Sequence, residues 1–504
     1  TQRPEWNDAN NALVGKGLSV VTLCYLRQYL AFCRSLFGNS ALDTVPLSLE
    51  INAFYARVFA SLRRFQTVLD GSFSAAQRRH IMDELGETGS DFRWQFYQNG
   101  LSGEVMQTPV EEIVAFLDVA QAYVEHSLRA NKRNDNLFHA YNILHLTDGA
   151  ASVGHLYEML EGQVAILSSG LLSGDESLAL LRSLRHSALY QPEQQSYILY
   201  PERSLPGFLQ KNCLTPDQVS DVALLGMLTE KQDKSLVMRD ADGVYHFSGH
   251  IRNLQDVNRA LDSLKSQPWY AELVEAESQK IKALFEATFH HNEFTGRSGT
   301  FFAYEGLGSV YWHMVAKLLL AAQETALRFK GDATADALRE CYADIRRGFG
   351  FNKTPQAYGA FPADPYSHTP KGQGAKQPGM TGMVKEVILT RRAETGFDIV
   401  GGKLVFDPTL MDRRELLTRS ATFSYLDVRG HVQEIDLPTG SLAYTICQTP
   451  VVFQSSQRMC ITVHHADGAV REIAGHALDE VTSSQIFQRD GAVSYLTVSM
   501  LLNE

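Results

Sequence analysis

From residue 11 to residue 37 the apolar side chains Leu13, Val14, Leu18, Val21, Tyr25, Leu26, Tyr29 and Phe32 recur at three- and four-residue spacing. With 3.6 residues per turn that spacing gathers them on one side of a helix, so the segment is expected to be amphipathic and packed on a core. The same period returns at residues 51–69, 110–128, 154–167, 177–184, 257–264, 271–289, 310–327 and 335–349. Turn-rich stretches separate these segments at 169–175, 240–243 and 354–382, the last dense in Pro and Gly. No short unit repeats at a fixed period, which argues against a solenoid.

After about Phe397 the pattern shortens to alternation. Runs at 401–408, 421–428, 432–436, 442–447, 459–463 and 493–498 are separated in several places by glycine turns such as Arg429-Gly430 and Asp467-Gly468. This is the signature of antiparallel strands with one buried face. The expected organisation is therefore a helical portion over residues 1–396 and a small β domain over 397–504.

A chain of 504 residues with 44% hydrophobic and 20% charged residues can bury a large core. Its formal net charge of -11 argues against a nucleic-acid partner, which would need a basic surface to release counterions. The six cysteines are dispersed, with no CxxC pair, and favour a reducing, cytoplasmic setting. No apolar run is long enough to span a bilayer, so no membrane partner is expected. His290-His291 and His464-His465 are adjacent pairs, not ligands one helical turn apart, and no metal site is expected. His250 and Arg252 precede a helix and read as capping residues.

Chemistry enters with Trp6-Asn7-Asp8, followed by Val14-Gly15-Lys16-Gly17-Leu18. A carboxyl group beside an aromatic ring can stay protonated at neutral pH and serve as a general acid; the same residues also suit a helix N-cap. Further along stand Gly162-Gln163-Val164-Ala165 with Ser169-Gly170 and Leu199-Tyr200-Pro201. Then come Gly308-Ser309-Val310-Tyr311-Trp312-His313, and Gly379-Met380-Thr381-Gly382. Each has a plainer reading: Gly170 as a helix end, His313 as a hydrogen-bonded core histidine, Thr381-Gly382 as a glycine turn and helix cap. Taken in order, the four resemble the inverting phosphorylases of glycoside hydrolase family 94, the cellobiose, chitobiose and cellodextrin phosphorylase group, and the related larger β-glucan phosphorylases.

The resemblance implies an (α/α)6 toroid, of which this chain carries the second half, followed by a small antiparallel β-sandwich or jelly-roll layer. It implies Asp8 as catalytic acid, with phosphate held by His313, Thr381 and Gly382, and sugar contacts from Trp6, Gln163, Glu305 and Tyr311. At Tyr304-Glu305-Gly306-Leu307 the chain departs from the family, which has a Lys-Glu pair there. The stretch from Pro201 to Gly308 is longer than the family segment, so an insertion is expected around residues 205–300. The implied reaction is reversible cleavage of a β-linked gluco-disaccharide or oligosaccharide by inorganic phosphate, giving a sugar 1-phosphate, with no cofactor beyond that co-substrate. Implied partners are the oligosaccharide, phosphate, an N-terminal half or partner chain that closes the barrel, and a second copy in a homodimer. An inverting hydrolase or glucan-modifying domain, or a non-catalytic carbohydrate-binding module, are the alternatives.

Overall fold

The computed structural model describes residues 16–193, 195–201, 208–289, 291, 310, 312–349 and 383–500. Strand β1 (Gly17–Ser19) passes directly into helix α1 (Val20–Gly38), because the Ser19 hydroxyl accepts from the Thr22 N–H and satisfies a donor of the first turn. There follow β2 (Thr44–Ser48), α2 (Leu49–Arg64), α3 (Ala75–Asn99), β3 (Val105–Pro109) and α4 (Val110–Arg129). Strands β4 (Tyr141–Thr147) and β5 (Ala150–His155) lead into α5 (Leu160–Ser168) and α6 (Gly174–Arg185), then to the two-residue strands β6 (Tyr190–Gln191) and β7 (Ser196–Tyr197). β1, β4 and β5 form an antiparallel sheet in that order, and β2 pairs with β3.

The next stretch builds a core of its own. Helices α7 (Phe208–Lys211), α8 (Pro216–Ser220), α9 (Ala223–Glu230), α10 (Leu254–Lys265) and α11 (Ala271–Phe289) surround the hairpin β8 (Val237–Arg239) and β9 (Tyr245–Phe247). Leu225, Leu228, Phe247, Leu261, Ile281 and Phe285 form a hydrophobic cluster separate from that of the main helical body. Buried Glu277 on α11 accepts from the Leu224 N–H at 2.8 Å, so a carboxylate caps the first turn of α9 from a neighbouring helix.

The main body is organised by α12 (Trp312–Arg328), with 11 of its 17 residues buried. It packs against α5, against α13 (Ala335–Arg347) and against α14 (Met383–Glu394), while α1 packs against α4 and α5. Buried Gln323 of α12 donates to Thr390 O at 2.9 Å and to the Tyr342 hydroxyl at 3.1 Å, tying three helices together. Tyr342 in turn donates to Glu394, which also accepts from Arg346 at 2.8 Å. The protein is mainly α, as expected. Among the described residues no helix is long and apolar enough to cross a membrane.

The C-terminal portion comprises the hairpins β10 (Phe397–Val400) with β11 (Lys403–Phe406) and β12 (Ala421–Leu426) with β13 (Val432–Leu437), and a five-stranded sheet. The sheet contains β14 (Ser441–Ile446), β15 (Thr449–Ser455), β16 (Cys460–His465), β17 (Val470–Ala474) and β18 (Val493–Met500), in the order β14-β15-β18-β16-β17. β15 and β18 run parallel, so the sheet is mixed and the expected purely antiparallel layer is corrected. Helix α15 (Glu480–Gln488) carries the chain back so that β18 inserts between β15 and β16. Its cap is Asp479, which accepts from the Thr482 N–H, and its end is Arg489 in the left-handed region at φ 56°.

Other boundaries also moved. The helix expected from residue 11 begins at Val20 among the described residues, and the one expected over 154–167 begins at Leu160, because 150–155 pairs with β4 as a strand. α3 shows no apolar period, since only Ile81 and Thr88 of its 25 residues are buried; the capping box Ser74 to Gln77 marks its start. Replacing Glu277 by Ala is expected to destabilise residues 208–289 by about 1–3 kcal/mol, since the buried Leu224 N–H loses its acceptor. Glu277→Gln, which keeps an acceptor oxygen, should lose less, and chemical denaturation read by tryptophan fluorescence distinguishes the two.

Candidate active site

A cleft of about 1280 Å3 opens beside the β1–α1 junction, walled by α1, α3, α4 and the strands β4 and β5. That exceeds the roughly 300–1,000 Å3 of most small-molecule pockets and suits an extended ligand. The junction is held in place by Val20 N–H donating to Ala140 O at 3.0 Å. On the other side of Ala140 lies α5: a Cβ on Gly162 would stand 3.0 Å from the Ala140 Cβ, so glycine permits the close approach. The neighbouring Glu161, buried to 3% exposure, thereby reaches the cleft lining, together with Lys317 from α12.

Two polar side chains of α1 fasten it to the end of α5. Arg27 Nη1 donates to Ser169 O at 2.8 Å and Gln28 Nε2 to Ser168 O at 2.6 Å, which serves the unpaired carbonyls of a helix C-terminus. Tyr25, one turn before, lines the cleft. Burial and then the adjacent Glu161 carboxylate push its hydroxyl pKa up, so it stays a neutral phenol. The side walls carry His126, Asn131 and His155.

Gln163 lies at 0% exposure. Its Oε1 accepts from Phe138 N–H at 2.9 Å, and its Nε2 donates to Phe138 O at 2.8 Å and Met159 O at 2.9 Å. The amide clamps the backbone before β4 to the start of α5. Both its amide N–H groups are thereby engaged, and the side chain does not line the cleft.

His313 occupies the first turn of α12, one turn before Lys317. Its Nε2 is 3.8 Å from Glu386 Oε1, longer than a hydrogen bond. Burial, then the Lys317 charge, hold its pKa below the ordinary histidine value, so the ring is neutral near pH 7. Glu386 itself is buried in the first turn of α14, a helix that begins at the residue after Gly382. Trp6, Asp8, Glu305, Tyr311, Thr381 and Gly382 lie outside the described residues.

Sequence reasoning missed Glu161, Lys317, Tyr25 and His155. Two of them carried a signal: Glu161 is the one charged residue in the mostly apolar helix Leu160–Ser168, and Lys317 stands four residues after His313 on the same helix. Among the described residues no group of three or more His, Cys, Asp and Glu is placed to hold a metal ion.

Residues 205–292 match the family model described as GH149 phosphorylase insertion domain 2, a span that contains the separately cored segment of α7 to α11. No curated protein matches the chain. The match supports a glycoside phosphorylase, and the family that the matched model names, GH149, is related in kind to family 94 but distinct from it.

Two outcomes test this geometry. Gln163→Leu is expected to cost about 1–3 kcal/mol, because buried Phe138 and Met159 backbone groups lose their partners. The loss should appear as a lower midpoint in urea unfolding. A histidine with a lowered folded pKa binds fewer protons folded than unfolded, so its contribution is intact above the ordinary histidine pKa and is lost as pH falls toward the folded value. His313→Gln should therefore flatten the decline of stability on acidification below about pH 6.5.

Proposed function

We propose that the protein is an inverting glycoside phosphorylase that cleaves a β-linked gluco-oligosaccharide or disaccharide with inorganic phosphate and releases a sugar 1-phosphate, reversibly. The observation that carries this reading is the match of residues 205–292 to a phosphorylase insertion domain. The 1280 Å3 cleft, with a lysine in its lining and a neutral histidine one turn away, supports it.

In the proposed reaction Asp8 donates its proton to the glycosidic oxygen as the bond to the anomeric carbon breaks. A phosphate oxygen attacks that carbon from the opposite face with inversion. Phosphate is already an anionic nucleophile, so no second carboxylate is required to activate water. His313 as a neutral N–H donor, the Thr381 hydroxyl and the N–H at Gly382 form the phosphate cage, and Trp6, Glu305 and Tyr311 contact sugar. Lys317, on the same helix as His313, adds positive charge to the cage. In reverse, deprotonated Asp8 takes the proton of an acceptor hydroxyl. No cofactor is required.

The same reading extends to partners. Tyr25, Tyr29, Phe32 and Leu36 follow one another along a single face of α1 and are between 45% and 63% exposed. Such a stripe supports a further helical portion of the enzyme, in the same or a partner chain, packing along α1 to complete an (α/α)6 barrel. A homodimer and a cytoplasmic location complete the proposal, by analogy with the resembled family.

Incubating the full-length enzyme with β-gluco-oligosaccharides, with and without phosphate, tests the reading. Sugar 1-phosphate should form only when phosphate is present; phosphate-independent reducing sugar would instead indicate a hydrolase. Asp8→Asn should abolish turnover. His313→Ala should raise the KM for phosphate by about 10- to 100-fold, the loss of one hydrogen bond to a charged group, while leaving the KM for oligosaccharide nearly unchanged.

A further inference from the structure

One wall of the cleft ends in a histidine whose ring nitrogens have different, structurally imposed roles. Asn131, buried just after α4, donates from Nδ2 to Ser127 O at 2.8 Å. A carbonyl can only accept, so the amide's orientation is determined and its Oδ1 is left to accept from Asn142 Nδ2 at 2.7 Å. Asn142, 3% exposed on β4, is oriented in turn, and its Oδ1 lies 3.1 Å from His155 Nδ1. Asn142 and His155 are direct cross-strand partners in the β4–β5 ladder, so sheet register brings them together. His155 Nδ1 must therefore carry a proton, and in the neutral ring Nε2 is then the lone-pair nitrogen.

A second anchor reinforces this state. The His139 ring stacks on His155 with centroids 4.3 Å apart and planes within 11°. Its Nδ1 lies 2.7 Å from Leu156 O, again a carbonyl that can only accept. Burial, more than any other influence, holds His139 below the ordinary histidine range, so the stacked neighbour is an uncharged ring. Two further side chains on this side of the cleft are also engaged with backbone: Arg78 donates to Ala151 O at 2.7 Å and Phe73 O at 3.2 Å, and His126 Nε2 lies 2.6 Å from Gly71 O. His155 lines the cleft, and among the described residues its Nε2 has no hydrogen-bond partner.

We propose that His155 Nε2 accepts a hydrogen bond from one hydroxyl of the bound oligosaccharide, with Asn142 and Asn131 as positioning residues that hold the ring in that tautomer. The inference rests on the glycoside phosphorylase reading and names a substrate contact within the same cleft. A lone-pair nitrogen attracts an O–H, so this wall offers an acceptor to a sugar hydroxyl.

The test uses the full-length enzyme, by steady-state kinetics and by calorimetric titration with the β-gluco-oligosaccharide. His155→Ala should weaken oligosaccharide KM and Kd by up to about tenfold, the net worth of one neutral hydrogen bond, with the KM for phosphate within about twofold of wild type. Because His155 is an exposed strand end, its replacement should leave circular dichroism unchanged. Among monodeoxy oligosaccharides, one should lose the same factor on the wild-type enzyme and bind His155→Ala no worse than the parent sugar does. Asn142→Ala should move the oligosaccharide constants in the same direction. Unchanged oligosaccharide affinity in His155→Ala, or additive losses for every deoxy analogue, overturns the inference. Should phosphate support no turnover, the phosphorylase reading fails by itself. The calorimetric Kd values for wild type and His155→Ala then still decide this one, equal values overturning it.

Discussion

The burial of α12 is the constraint on which the rest of the helical body depends. A helix with apolar residues on most of its circumference can satisfy them only by being surrounded, and α5, α13 and α14 supply that surround. The single buried amide on its far side, Gln323, is satisfied by Thr390 O and Tyr342, so the polar cost of burying it becomes a set of links between the three helices. Its first turns then carry His313 and Lys317 to a defined place relative to the cleft. The same helix that organises the core positions the charge of the candidate site.

Backbone carbonyls are the second organising element. Gln163, Asn131, His139, Arg78 and His126 all place a donor on a main-chain carbonyl. Because a carbonyl has no donor to offer, each of these contacts fixes which atom of the side chain faces which way. The proposed reading of sugar hydroxyls in this cleft needs such directional certainty, since hydroxyls rotate and will donate or accept as the wall dictates. The insertion segment stands apart from this network, with its own core and its own capping carboxylate in Glu277.

Where the sequence pattern was strong, the elements followed. Residues 271–289 form a helix with the expected bounds, and 110–128 and 335–349 differ by one or two residues at their ends. Where the apolar pattern was weak, it misled: α3 buries little of its surface and was invisible to periodicity, while 150–155 alternates too briefly to announce a strand. Helix α15 is short and lies inside a run of strands, and without the crossover it provides the strand pattern reads as an antiparallel sheet where the structure has a mixed one.

The helical class and the change to strands after Phe397 were legible in the chain, since local period depends on residues close together. The excess length between Pro201 and Gly308 and the phosphorolysis reading came from the order of four motifs and their resemblance to family 94, not from the local chemistry of any one of them. Only the tertiary structure decided that Gln163 clamps backbone inside the core, that Glu161 and Lys317 share one cleft, and that Asn131, Asn142 and His155 form a directed relay. Those relations join residues from different elements. They depend on strand register and helix packing, which are set by burial of the whole chain and leave no mark at any one position.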